Sequence, residues 1–183
     1  TVEISSKNAE KLNSEFKKFF DTKNLVYKSY VLKNDNDDKI HRLKRLLDLH
    51  EITYQQANKG TVKGYLYATQ KEGKLNISSK DLVIHTDQPK GKMVKVLFEP
   101  NAKLTDSLTY DITAWSLPYA HGIQTIASKT KVNTETNSPA HSVTNTVNKN
   151  AYAYISKWNS LDDAAFLGDI LQQHIVPRFT EKA

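Results

Sequence analysis

At 183 residues, 38 % of them hydrophobic and 25 % charged, the chain has the length for one domain, or for one domain and a fragment of another. The absence of cysteine excludes disulfides, thiolate zinc sites and a cysteine nucleophile, and no run of about 18 apolar residues offers a membrane span. The net charge of +6 comes from lysines such as Lys17, Lys18, Lys44, Lys63 and Lys74, scattered among carboxylates and not gathered on one stripe; a solvated lysine-rich surface is expected, and no nucleic-acid partner.

The first element is an amphipathic helix over residues 6–22, where Ala9, Leu12, Phe16, Phe19 and Phe20 recur at spacings of three and four and Ser6 serves as N-cap. Its apolar stripe is expected to face the core. Residues 25–32 are β-branched and aromatic, hence a strand. The acidic cluster 34–38 feeds a helix through Ile40, Leu43, Leu46 and Leu47, with carboxylates at the positive end of its dipole. That cluster lacks the glycine and distal glutamate of a calcium loop. A second strand over 51–57 completes a β-α-β unit, which implies a parallel pair under a covering helix.

Three short strands follow at 62–68, 74–77 and 81–85, separated by polar or glycine-containing turns. Gln88-Pro89 opens a helix carrying Met93, Val94, Val96, Leu97 and Phe98, which Glu99-Pro100 ends. The stretch Asp106-Ser-Leu-Thr-Tyr-Asp-Ile-Thr-Ala-Trp-Ser-Leu-Pro-Tyr-Ala-His-Gly122 fits neither periodicity. Its short polar groups favour caps and turns, so it reads as a buried connector with a helical turn or two, stopped near Pro118 and released at Gly122. Two accounts of it stand side by side. It is a structural corner, or it is a binding wall in which Tyr110, Trp115 and Tyr119 supply the surface and Asp106 and Asp111 orient a ligand.

With the preceding Gln88-Pro-Lys-Gly-Lys-Met-Val-Lys-Val-Leu-Phe-Glu-Pro100, this stretch resembles a segment of large exported bacterial proteins of the zinc carboxypeptidase (carboxypeptidase A-like) family. The likeness is clearest over residues 81–122 and lies downstream of the peptidase domain in those proteins. It implies a non-catalytic accessory domain that scaffolds the parent's peptidase domain or binds peptide or cell-wall material, exported to the periplasm or cell surface. It also implies zinc in the parent's catalytic domain and no cofactor in this chain.

Past a strand at 123–128, residues 129–150 are Lys, Thr, Asn, Ser and Val with a proline, a composition expected to form a solvated loop or linker. Residues 151–155, 160–173 and 174–179 then read as strand, helix and strand. They repeat the order of residues 27–54, with Asp162-Asp163 answering Asp37-Asp38 and His174 answering His50. The organisation expected is an accessory domain over 1–128, a linker over 129–150, and over 151–183 a second β-α-β unit on the same sheet, cut from a longer natural chain. The start at Thr1, without an initiator Met, carries the same expectation of processing or trimming.

A carboxypeptidase A-like zinc site needs His-x-x-Glu and a distant His. None of His41, His50, His85, His121, His141 and His174 has glutamate three residues on, so no catalytic and no metal-ligating residue is assigned. A cryptic hydrolase would need His85 or His121 within reach of a serine or aspartate in a cleft. The fold expected is α/β: a mostly parallel central sheet with helices on both faces and a small β-rich excursion, of the glutamine amidotransferase-like kind that the resemblance implies. The alternative function is a stand-alone ligand- or protein-binding module with no enzymatic parent.

Overall fold

A computed structural model describes residues 2–101, 116–135 and 147–179. Among these, six strands form one sheet: β1 (Ser29–Leu32), β2 (Gln55–Gln56), β3 (Gly60–Leu66), β4 (Lys71–Ile77), β5 (Leu82–His85) and β6 (Thr125–Ser128). The helices are α1 (Val2–Lys7), α2 (Ala9–Phe19), α3 (Asp37–Leu49), α4 (Gly91–Phe98), α5 (Leu117–Ala120) and α6 (Leu161–Gln172).

The strand order is β2-β5-β1-β6-β3-β4, and every neighbouring pair is antiparallel. The expected mostly parallel, amidotransferase-like sheet with helices on both faces is therefore wrong. The strand–helix–strand order from β1 through α3 to β2 does exist, and β1 and β2 point the same way because both run against β5. They are not neighbours. β5 returns from the β3–β4 hairpin and inserts between them, so no parallel ladder forms.

The strands earn their place by alternation. Tyr30, Leu32, Leu82, Ile84 and Ala127 face a core completed by Ile40, Leu43 and Leu47 of α3 and Val94 and Phe98 of α4. Val31, Val83 and Ile126 face the opposite side, where they meet Val62 and Ile77 of the β3–β4 hairpin and Val132. Helices thus cover one face, and among the described residues no helix residue enters the other cluster. That second face is closed by residues 129–135, which the composition suggested were solvated linker. They leave β6 as a strap and reach the far edge, where Asn58 N–H donates to Asn133 O at 3.1 Å and Glu135 N–H to Gln56 O at 2.9 Å. Cover on both faces leaves every residue of β1, β5 and β6 buried, a pattern more usual in parallel sheets.

Both chain ends depart from expectation. The opening helix is two helices with no buried residue, and the stripe of α2 looks outward: Leu12, Phe16 and Phe19 are 54, 65 and 59 % exposed. Residues 151–155 and 174–179 are not strands, because no sheet edge reaches them; only the helix between them forms, with Ser160 and Asp163 making a capping box. This terminal segment touches the start of α3 through Arg42–Asp162 and Asn36–Asn159 contacts and a 3.3 Å bond from Ser160 Oγ to Asp38.

Candidate functional site

Of the five residues expected to form a binding wall, Asp106, Tyr110, Asp111 and Trp115 lie outside the described residues, and Tyr119 lies in α5. Pro118 opens that helical turn instead of stopping it, as its fixed φ and missing N–H allow. Gly122, at φ +58°, closes the turn: Gly122 N–H donates to Tyr119 O at 3.1 Å and Ile123 N–H to Pro118 O at 2.9 Å. Leu117 packs against the helix-side core and Pro118 is buried, so this part of the stretch is a structural corner.

Tyr119 stands at the rim of the corner, 38 % exposed, with its ring centroid 5.1 Å from that of Tyr67. Tyr65 adds a third ring edge-on to Tyr67 at 6.0 Å. Tyr67 is buried, and its hydroxyl donates to the Phe98 carbonyl at the end of α4. Burial raises the pKa of Tyr67 and Tyr30 far above the usual phenol range, and burial followed by the neighbouring Tyr65 raises that of Tyr119. These hydroxyls stay protonated, so the cluster can offer ring faces and hydrogen bonds but no general base.

His85 does meet a serine. Ser29 and His85 are paired across β1 and β5, and Ser29 Oγ lies 2.9 Å from His85 Nδ1. The same Oγ accepts Val132 N–H at 3.0 Å, so the strap is tied down over it. Ser29 has no exposed surface at all, and no substrate carbonyl could approach its oxygen. Asp87 bonds to Lys131 at 2.6 Å. Burial holds the His85 pKa below its ordinary value, against an opposing pull from Asp87, so the imidazole is neutral. A nucleophile–base contact is present without a cleft. Its chemistry is that of a brace.

The remaining polar groups of residues 81–98 have similar tasks. Asp81, 1 % exposed, accepts Lys33 Nζ at 2.7 Å, Asn34 N–H at 2.9 Å and Ser78 N–H at 2.8 Å, joining the end of β1 to the turn before β5. Gln88 accepts Thr53 N–H at 2.8 Å and donates to Thr53 O at 3.0 Å and His85 O at 2.6 Å, mimicking one rung of a ladder. Gly91 is required because a Cβ there would lie 2.0 Å from Thr86 O. Sequence reasoning missed Ser29, Lys33 and Asp81 as partners, since only the strand register brings them together. His85 and Gln88 stood in the recognisable segment, but nothing local announced what they hold.

Among the described residues no three His, Asp or Glu side chains converge as metal ligands. Among them, too, no helix is long and apolar enough to cross a membrane. Comparison with protein-family models, curated proteins and solved structures finds no match for the chain.

Proposed function

We propose that this chain is a non-catalytic accessory domain of an exported bacterial zinc carboxypeptidase-like protein, and that it docks on the parent's peptidase domain. The observation that carries the reading is that the core of the described residues forms without the outward stripe of α2, whose Leu12, Phe16 and Phe19 are each more than half exposed. Burying a large apolar side chain contributes about 1.5–3 kcal/mol, so a covering domain would gain several kcal/mol from these three. The aromatic rim at Tyr119 and Tyr65 supports the second task, contact with peptide or cell-wall material. Zinc and the hydrolytic step belong to the parent's catalytic domain in this reading.

The test is calorimetric titration of the chain with the parent's peptidase domain, beside a Phe16→Glu/Phe19→Glu variant. Saturable binding that the variant loses, with zinc and C-terminal hydrolysis confined to the peptidase partner, is expected. Failure to bind, together with undiminished peptidase activity after deletion of these residues from the parent, would sink the accessory reading. It would leave the stand-alone binding module, which the self-contained core also favours.

A further inference from the structure

β3 is paired along its whole length with β4 but touches β6 only through Tyr65 and Leu66. Its first residues, Gly60–Lys63, therefore present a strand edge that no other strand of the described residues occupies. The strap lies across from that edge, and between them runs a groove of about 380 Å³. Its floor is apolar, made of Val62, Ile77 and Val132, each less than a tenth exposed. Its walls carry Lys59, Lys63 and Lys131, and among the described residues no carboxylate lines it. Lys131 is held by Asp87, whereas Lys59 and Lys63 form no ion pair within the described residues, and the residue facing Lys63 across the ladder is another lysine, Lys74.

We propose that this groove binds an acidic peptide in extended conformation, added as a strand against Gly60–Lys63. Free backbone groups on an open edge supply affinity for any extended chain, and alternate side chains would enter the apolar floor. The uncompensated lysines select the charge: a segment alternating carboxylates with β-branched residues meets both the floor and the walls. The volume sits toward the small end for ligand clefts, which suits a few residues and not a folded partner. This proposal does not rest on the carboxypeptidase reading, because every feature of it lies within the sheet and its strap.

The experiment is a titration of the isotope-labelled chain with acetyl-Asp-Val-Glu-Val-amide, followed by amide chemical shifts. Saturable shifts confined to Gly60–Lys63 and residues 130–133 are expected. Gly60→Val should weaken binding at least tenfold while the chain stays folded, since Gly60 lines the groove and a Cβ there meets nothing closer than 4.0 Å. Lys59→Gln/Lys63→Gln should weaken it by a similar factor through charge alone. A peptide N-methylated at alternate residues should not bind, because it cannot donate to the edge. The proposal is overturned if the parent peptide shifts amides elsewhere or nowhere. It is equally overturned if the N-methylated peptide or Gly60→Val binds as well as the original pair, which would reduce the effect to attraction by surface lysines.

Discussion

Three helices in this chain end with the same bond pattern, and only one of them uses glycine to do it. After α3, Ile52 N–H reaches back to Leu47 O at 2.9 Å and Glu51 N–H to Asp48 O at 3.0 Å; α5 and α6 close in the same way at Ile123 and Ile175. The residue that turns left-handed is Gly122 in α5, but Glu51 (φ 56°) in α3 and His174 (φ 58°) in α6. A side chain there costs about 1 kcal/mol, and the exposed Lys90–Glu51 pair at 3.3 Å does not offset it. Glu51→Gly is therefore expected to stabilise the chain by about 0.5–1 kcal/mol in urea denaturation, and a loss would show that the Lys90 contact outweighs the strain. The opposite change is expected at Gly64, where a Cβ would sit 2.2 Å from Ala127 O: Gly64→Ala should cost about 2–3 kcal/mol by forcing β3 from β6. His85 sets a pH dependence. Its folded pKa lies below the ordinary 6.5, so above that value it is neutral in both states and costs nothing. As pH falls below it, the unfolded chain takes up a proton that the folded chain resists, and stability declines; half-buried His121 acts in the same direction. The urea midpoint should drop between about pH 7 and pH 5, and His85→Asn should flatten that drop.

At the scale of elements, most positions were legible and their neighbours were not. The capped helix at Asp37–Leu49, the strand at Leu82–His85, the helix at Gly91–Phe98 and the release at Gly122 all follow from local chemistry that the sequence displays. Strand direction was misread because the rule joining β-α-β units to parallel pairs assumes adjacent strands, and nothing in residues 25–57 announces that β5 will come between them. The turn that ends at Gly122 was legible in the 106–122 stretch, but the Tyr119–Tyr67 ring contact depends on where β3 ends and was not. The stripe of α2 was read correctly as a stripe and wrongly as buried, since periodicity reports amphipathicity and not what covers it. A consequence can be measured. Phe16→Ser should change stability in urea by no more than about 0.5 kcal/mol, whereas Phe98→Ala in the true core should cost about 3–5 kcal/mol. A large effect at Phe16 would mean that α2 packs inward after all.

For the whole molecule, the sheet and its strap bury their own apolar groups, while residues 147–179 add no strand and leave Tyr152, Ile155, Trp158, Val176 and Phe179 in solvent. A chain ending at Glu135 is expected to unfold cooperatively with a thermal midpoint within about 5 °C of the full chain. A collapse of the transition would show that the terminal helix braces α3 through Arg42 and Asp162 more strongly than exposed contacts usually do. The central place of β1 also bears on the order of folding. β1 precedes both of its neighbours in the chain, β5 and β6, whose partners for Ser29 are His85 and Ser128. During synthesis, Tyr30, Val31 and Leu32 emerge long before either flank exists, and loop closure over such separations slows the search. The nascent domain thus carries an unpaired apolar strand until Leu82–His85 follow, and chaperone capture at Tyr30–Leu32 is expected while that partner is missing.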